Sequence, residues 1–275
     1  MTLQLAFSTL ACPDWSLERA IEEAPRWGYD GLELGLIDGQ LIEPDLSDGD
    51  RERIGQLLRE TGARLAAVDS SISLVSDLVE VEIDTQLREM LDIAAAWGAP
   101  MVRVFGGEPP EGLTESDGIA RATRMLQRMS LEAERRGVKI GLETHDAFSS
   151  ASVVAQVLGG VGSPQVGAVW DVLHTHRMGE SPAQVWDLVG PRVMAVHIKD
   201  ASRGPENIDW KPALLGDGEV PVRECVSVLQ RAGYQGWLVA EWEKAWHPEI
   251  EEPEVALRHG IEMLRVWIAE DEGAT

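Results

Sequence analysis

The sequence predicts a (β/α)₈ barrel, the TIM-barrel fold, formed as a single domain over residues 1–275. Three observations support this prediction: a helix–glycine–strand pattern recurs along the chain, the strands are short continuous apolar runs, and polar residues stand at the strand ends. Continuous apolar runs are typical of parallel strands that are buried on both faces. The length of 275 residues also fits such a barrel, which typically needs about 250.

In the recurring pattern, a helical stretch ends at a glycine and an apolar strand follows. Glycine adopts the left-handed conformation that closes a helix without the steric penalty of a Cβ atom. Each repeat therefore predicts one helix end and the strand after it. The clearest repeats are RWGYDGLEL, RETGARLAAV, AAWGAPMVRV, ERRGVKIGLE and RAGYQGWLVAE, with their caps at Gly28, Gly62, Gly98, Gly137 and Gly233.

The repeats divide the chain into eight strand–helix units. An open, doubly wound sheet is the alternative, but such sheets usually have about five or six strands. The stretch 201–219 is expected to be one long loop inside the domain. The predicted strands cover residues 3–9, 31–35, 65–70, 101–106, 139–144, 166–171, 193–199 and 236–241. The predicted helices cover residues 16–27, 48–61, 84–97, 115–136, 150–158, 182–189, 220–232 and 254–269.

Composition argues against several classes of protein. Acidic residues number 47 against 24 basic ones, and the resulting charge of −23 would repel the phosphates of a nucleic acid. The chain has no apolar run of the roughly 20 residues that span a bilayer, and its first ten residues lack a signal-peptide pattern. Cys12 and Cys225 have no metal or redox spacing, as expected in a reducing compartment. We therefore expect a cytoplasmic protein that binds neither nucleic acid nor membrane. Trp267, expected to be exposed on an outer helix, would permit a homo-oligomer.

Polar residues gather at the ends of the last four predicted strands. KIGLETHD contains Glu143, VWD ends in Asp171, VHIKD contains His197 and VAEWEK contains Glu241. Because active sites of such barrels lie at the carboxyl ends of the strands, these four side chains can surround one point. Three carboxylates held together resist ionising, and a divalent cation removes that conflict. The donor set favours Mn²⁺, Mg²⁺ or Co²⁺ and is compatible with Zn²⁺; Mn²⁺ is the expected ion.

The segments GLETH, VWDVLHTH, VHIKD and VAEWEK resemble the xylose isomerase-like barrel superfamily, specifically its sugar (phosphate) isomerase/epimerase group. Tagatose 3-epimerase-type enzymes and inosose dehydratases belong to that group, and the resemblance covers nearly the whole chain. It implies that Glu143, Asp171, His197 and Glu241 bind the metal and that His174 contacts the substrate. It also implies that Glu143 and Glu241 are the catalytic acid/base pair. The strand ends VDSS and VFGG lack histidine, so the three-metal cluster of endonuclease IV-like members is not expected.

Five further residues are candidates for substrate binding. His145 shares the inward side of its strand with the first glutamate, as a pocket residue or as a hydrogen-bond partner behind the ligands. Glu33 in GLELG is expected in the pocket, with a role in a buried network as the alternative. Arg103 and Lys199 could hold hydroxyls or a carboxylate, or pair with neighbouring acids. Trp246 could stack on the apolar face of a sugar, with a place in the core or at an interface as the alternative.

Together these residues predict a divalent-metal-dependent sugar isomerase or epimerase acting on a ketose or a related polyol ketone. The ion would polarise the carbonyl and acidify the adjacent C–H bond. One glutamate would remove that proton and the other would return one to the opposite face of the enediolate. Two alternatives stay open. A metal-dependent lyase, resembling inosose dehydratase or cleaving a keto-glycoside, would use the same site to expel a leaving group, and a non-catalytic metal-binding subunit would use it only to bind. The fold does not choose among them.

Overall fold

A computed structural model of the chain describes residues 3–204 and 209–273. Within these residues, eight parallel strands close into a barrel in which every strand pairs with its neighbours in the chain and strand 8 pairs with strand 1. The predicted TIM-barrel fold is therefore confirmed. In chain order, barrel strands 1 to 8 are Gln4–Ser8, Gly31–Leu34, Leu65–Val75, Met101–Gly107, Lys139–Glu143, Val166–Asp171, Val193–Ile198 and Trp237–Ala240.

Nine α-helices surround the barrel in the described ranges. Eight of them correspond to predicted helices, and in the first four the glycine that follows the helix has the left-handed backbone that the recurring pattern predicted. A side chain at such a position would be strained. The helices are α1 (Leu17–Trp27), α2 (Asp48–Thr61), α3 (Glu80–Trp97), α4 (Glu115–Arg136), α5 (Ala151–Val161), α6 (Val172–Arg177), α7 (Pro182–Val189), α8 (Val222–Arg231) and α9 (Pro253–Gly273).

The short helix α6 is the helix that the sequence pattern did not predict. Its N-cap is Asp171, whose Oδ1 accepts a hydrogen bond of 2.9 Å from the backbone N–H of His174. A side-chain acceptor of this kind satisfies one of the free donors at a helix start. His174 therefore lies on a helix that begins directly at the end of strand 6, which fixes its position relative to that strand.

A layer of small and apolar side chains packs beneath the polar strand ends. Side chains two positions apart on a strand point to the same face, so this layer supports the polar residues above it. Asp171, His197 and Glu241 each follow two positions after a member of the layer. Gly141 is required there because a Cβ atom would lie 2.6 Å from both Met101 Sδ and Val169 Cγ2. The packed residues include Ala6, Ala67, Met101, Val169, Ala195 and Val239.

The stretch 201–219 is not one long loop, contrary to the prediction. Asp200–Arg203 pairs antiparallel with Trp210–Ala213, while residues 205–208 of the predicted loop lie outside the described residues. The Asp200 carboxylate fixes the backbone that follows the hairpin because it accepts four backbone N–H hydrogen bonds. These hydrogen bonds compensate for the burial of the carboxylate. The donors are Ala201, Gly216, Gly218 and Val220.

Three other predictions differ from the structure. Strand 3 continues to Val75 because a register shift after Asp69 lets it pair again with strand 4. Helix α3 begins at Glu80, four residues before the predicted start. Trp267 is only 8% exposed and packs in the core, so the expectation of an exposed indole is wrong. In the described ranges, none of the helices combines the length and the apolar character needed to cross a membrane.

Candidate metal centre

The ends of strands 5 to 8 bring the four predicted ligands to one point. One donor atom from each of Glu143, Asp171, His197 and Glu241 lies within 4.8 Å of the others. All four residues are buried, from 0% exposure for Asp171 and His197 to 6% for Glu241. The parallel register accounts for this convergence, since Asp171 pairs with His197 across strands 6 and 7. The Glu241 N–H also continues the ladder by donating to the Ile198 carbonyl.

The His197 ring lies between carboxylates on both sides. Its Nδ1 is 3.1 Å from Glu143 Oε1 and 3.6 Å from Glu241 Oε2. Its Nε2 is 3.1 Å from Glu33 Oε2 on the opposite side. Glu33 is fully buried and lines neither of the two cavities that meet at this site in the described part of the chain. The expectation that Glu33 lies in the pocket is therefore not met; it occupies the alternative position, in a buried network behind the histidine.

Lys199 neutralises part of the acidic cluster. Its Nζ is 2.8 Å from Asp171 Oδ2 and 2.9 Å from both Glu241 Oε2 and Glu243 Oε1. Burial lowers the pKa of Lys199, but the adjacent Asp171 and Glu241 outweigh burial and hold that pKa well above its ordinary value. The lysine is therefore a cation within the site, and of the two roles expected for it, pairing with neighbouring acids is the one observed.

Arg103 supplies the second buried cation. Its Nε is 3.1 Å from Glu143 Oε2, and its Nη2 is 3.4 Å from Asp69 Oδ2. Its Nη1 donates to the Ser70 carbonyl at 2.8 Å, and its guanidinium lies 4.0 Å from the centre of the Phe105 ring. These contacts lock the arginine against the wall of the first cavity, in ion pairs with neighbouring acids.

Asp69 belongs to the site although it is not among the residues predicted from the sequence. It is 4% exposed and lines the same cavity as Glu143 and Glu241. Burial raises its pKa well above the ordinary value, although the neighbouring Arg103 lowers it. The signal that could have found it is its position in VDSS, two residues after Ala67 of the inward-facing layer.

The carboxyl groups differ in their electrostatic environments. Burial raises the pKa of Glu143, but His197 and Arg103 more than offset it, and that pKa lies below its usual range. Burial also raises the pKa of Glu241, and the Lys199 ammonium and His197 bring it down to about 2. At Asp171 burial dominates over Lys199 and raises the pKa to about 6. Both glutamates are therefore anionic at neutral pH, as metal ligation or proton abstraction requires.

The arrangement fits a divalent cation. Glu143 Oε2 and Asp171 Oδ2 are buried without a hydrogen-bond partner among the described residues. Each has a basic side chain nearby, but neither contact has hydrogen-bond geometry. Buried carboxylate oxygens without such partners are costly unless a cation compensates them. Three carboxylates and one imidazole match the donors that Mn²⁺, Mg²⁺, Co²⁺ and Zn²⁺ accept.

Two cavities open above the four residues. The first, about 180 Å³, is lined by Glu143 and Glu241 and also by His145 and Trp246. The second, about 130 Å³, is lined by His174. Lys199, Glu241 and Glu243 line both. Of the residues predicted to bind substrate, Arg103, His145, Lys199 and Trp246 line the first cavity, and His174 and Lys199 line the second.

The two pocket histidines are in contact with each other. The ring centres of His145 and His174 are 4.4 Å apart, and His145 Nδ1 is 2.6 Å from Asp146 Oδ1. Burial and the nearby Lys199 lower the pKa of His174 to about 3, so this ring is neutral near pH 7. Burial also lowers the pKa of His145, but the Asp146 hydrogen bond and Glu143 outweigh it and raise that pKa.

The protein is thus a closed parallel barrel with a candidate metal site at the carboxyl ends of its strands. The site consists of three carboxylates and one imidazole. The sequence model described as "Xylose isomerase-like TIM barrel" matches residues 21–267. The chain belongs to this family, as the resemblance of its strand-end motifs implied.

Individual relatives are distant but cover most of the chain. A fructoselysine 3-epimerase from Escherichia coli O157:H7 is 23% identical over an alignment of 269 residues that covers 93% of this chain and 95% of the relative. An inosose dehydratase from Lacticaseibacillus casei is 21% identical over an alignment of 256 residues that covers 83% of this chain and 83% of the relative. Among solved structures, the IOLI protein with a binding zinc atom superposes with a TM-score of 0.81 at 17% identity, covering 98% of this chain and 99% of that one. The structural likeness establishes a shared fold.

Proposed function

We propose that this protein is a divalent-metal-dependent sugar isomerase or epimerase that transfers a proton at the carbon next to the carbonyl of a ketose or polyol ketone. The observation that carries the proposal is the convergence of Glu143 and Glu241, two buried anionic carboxylates at 3.1 and 3.6 Å from the same nitrogen of His197. Similarity to a fructoselysine 3-epimerase supports it.

The four converging residues would hold the metal, with Mn²⁺ as the first choice and Mg²⁺, Co²⁺ or Zn²⁺ as alternatives. A bound divalent ion supplies Lewis-acid polarisation of the substrate carbonyl, which makes the adjacent C–H bond more acidic. The oxygen-rich donor set supports a hard or borderline ion.

The remaining chemistry belongs to the protein's own side chains. One of Glu143 and Glu241, both anionic at rest, accepts the proton from carbon; the other takes up a proton from solvent and delivers it to the opposite face. Arg103 and Lys199 hold these carboxylates in place through their ion pairs. Fixed charges around a buried site lower the barrier because they need no reorganisation during the reaction. His145, His174 and Trp246 would orient the substrate above them.

Elimination is the second candidate because one observation favours it. His145 lines the first cavity beside Glu143, with its Nδ1 2.6 Å from Asp146 Oδ1, so this imidazole could protonate a departing hydroxyl group. Such an acid, combined with the same removal of a carbon-bound proton, would produce a lyase or dehydratase. Similarity to an inosose dehydratase supports this alternative.

Proton exchange in D₂O tests the proposal. The Mn²⁺-reconstituted protein is incubated with a panel of ketoses, inososes and keto-glycosides, and each recovered compound is examined by NMR and mass spectrometry. An isomerase or epimerase incorporates deuterium next to the carbonyl and retains all substituents. Loss of water or of a glycosyl substituent to give an unsaturated ketone identifies a lyase. If no compound in the panel exchanges or eliminates, the catalytic proposal is wrong.

A further inference from the structure

The first cavity changes character from its floor to its mouth. Its floor is ionic and buried, with Glu143 1% and Glu241 6% exposed. Its mouth carries two large apolar side chains, Leu41 at 40% and Trp246 at 55% exposed. Leu10 and Phe105 line the wall as well. A single exposed apolar residue is ordinary, but two that flank one pocket from distant parts of the chain form a candidate binding surface.

Leu41 is held at the mouth by an anchored hairpin. Leu36–Ile37 pairs antiparallel with Gln40–Leu41 between strand 2 and α2. Thr9 Oγ1 accepts the Leu36 N–H at 2.8 Å and donates to the Leu36 carbonyl at 2.7 Å. At the turn, Asp38 Oδ1 accepts the Leu17 N–H at 2.8 Å. The position of Leu41 is thus set by contacts to two other segments of the barrel.

Trp246, which lines the same cavity, is held by a tight turn after strand 8. The backbone N–H of Trp246 donates to the Glu243 carbonyl, and the backbone N–H of Ala245 donates to the Leu10 carbonyl. Lys244 Nζ donates to the carbonyls of Pro248 and Ile250, which closes the rest of the turn. The indole therefore faces the cavity mouth from a fixed backbone, and binding an apolar group there costs little ordering of the chain.

We propose that the substrate is a keto sugar with a covalently attached apolar or aromatic substituent. Its carbonyl end lies on the ionic floor, and the substituent lies between Leu41 and Trp246. This inference rests on the proposed function. A sugar without such a substituent presents hydroxyl groups throughout its length and gains little binding free energy from contact with an exposed leucine. An aromatic or alkyl substituent removes apolar surface from water on both sides, and aromatic groups also stack on tryptophan.

Two matched probes test the inference: methyl 3-keto-β-D-glucoside and phenyl 3-keto-β-D-glucoside, each with the Mn²⁺-loaded protein. Deuterium exchange next to the keto group is measured as kcat/KM, and contact with the substituent is measured independently by saturation-transfer NMR on the phenyl protons. We expect the phenyl probe to exceed the methyl probe by about tenfold in kcat/KM, the size of one aromatic contact. We also expect the phenyl protons to receive strong saturation.

The variants Trp246→Ala and Leu41→Ala should each reduce the phenyl-to-methyl ratio towards one and weaken saturation of the phenyl protons. Trp246→Phe should retain most of both signals, because it keeps an aromatic face. Leu131→Ala serves as the matched control, since Leu131 is 58% exposed on α4 and lines neither cavity in the described ranges.

The two proposals fail differently. The assignment of the apolar substituent to the cavity mouth would be overturned if the phenyl protons received no saturation transfer. It would also be overturned if neither alanine variant changed that saturation and the phenyl-to-methyl ratio of kcat/KM. Absence of deuterium exchange with both probes, together with saturation that depends on Trp246, would count against the proposed chemistry and leave the assignment of the apolar substituent standing.

Discussion

His197 Nε2 lies 3.1 Å from Glu33 Oε2, on the side of the ring opposite the candidate metal ligands. Both side chains have 0% exposure. When Nε2 carries the proton and donates it to Glu33, Nδ1 is left to face Glu143 and Glu241. Carboxylates placed in this way behind a metal-binding histidine fix its tautomer and its ring orientation. The contact therefore links a residue of strand 2 to the chemistry of strands 5 to 8.

Glu33→Gln should weaken Mn²⁺ binding about 10- to 100-fold, the usual effect of removing such a partner. The substitution keeps the shape of the side chain but removes the charge that orients the imidazole. Isothermal titration with Mn²⁺ measures the effect. Glu43→Gln is the matched control because Glu43 is exposed. Equal Mn²⁺ affinity in wild-type protein and Glu33→Gln would show that Glu33 does not orient His197.

Glu241→Gln should abolish turnover and lower the affinity for Mn²⁺, because one carboxylate has both proposed roles. Chelation of the wild-type protein should abolish turnover reversibly, with recovery when Mn²⁺ is restored. Turnover and Mn²⁺ titration together check both effects, and Glu111→Gln is an exposed control. Full activity after thorough chelation would contradict the metal-dependent mechanism.

His174→Ala should raise KM and lower kcat/KM about 2- to 12-fold, the equivalent of one neutral hydrogen bond, and leave Mn²⁺ affinity nearly unchanged. His174 Nε2 is buried without a hydrogen-bond partner among the described residues, and the ring is neutral at pH 7 because burial lowers its pKa to about 3. That nitrogen is thus available to a substrate hydroxyl. His176→Ala on the same helix is the control. Kinetic constants equal to those of wild type would remove His174 from the substrate site.

Gly218→Ala should destabilise the fold by about 1–3 kcal/mol, as overpacking usually does. A Cβ atom there would lie 2.0 Å from Asp200 Oδ1 and 2.7 Å from the Ala201 carbonyl oxygen. Gly159→Ala within α5 is the matched change, since its Cβ would meet nothing within 4 Å. This control should stabilise the protein by about 0.5–1 kcal/mol. Denaturant unfolding of both variants decides the matter; equal stabilities would contradict the packing around Asp200.

Cys12 and Cys225 should be unreactive towards a thiol reagent at pH 8 in the native protein. Burial raises the pKa of Cys12 to about 12 and that of Cys225 well above its ordinary value. Because the thiolate is the reactive form, a pKa above the working pH leaves both groups protonated, and their burial also blocks access. The reagent should titrate both thiols in denaturant. Rapid modification of the native protein would contradict the close packing around these two side chains.

Much of the barrel was predictable because its signals are local. The strand VGAVWD over 166–171 and the helices over 48–61 and 115–136 have the predicted bounds, since each begins or ends at a local signal such as a cap. Helix α6 was missed because its cap, Asp171, looked from the sequence like a strand-end ligand alone. The hairpin within 200–213 was missed because its strands are short and polar.

The residues of the site also fall into those that the sequence could predict and those that only tertiary contacts place. Glu143, Asp171, His197 and Glu241 could be named from the sequence because strand periodicity directs alternate side chains inward and parallel strands bring their ends together. The same strand periodicity would have placed Asp69 in the site, whereas the positions of Glu33 and Glu243 depend on contacts between residues far apart in the chain. No local pattern encodes which of two buried acids faces the cavity and which lies behind a histidine.

The sequence by itself determined the barrel, the strand ends that carry donors and the residue types gathered there, because helix caps and apolar periodicity act over a few residues. Only the tertiary structure decided that Glu33 lies behind His197, that Lys199 bridges Asp171, Glu241 and Glu243, and that Leu41 and Trp246 flank one mouth. The reason is physical: these relationships depend on the closure of the barrel, which brings together side chains separated by up to about two hundred residues.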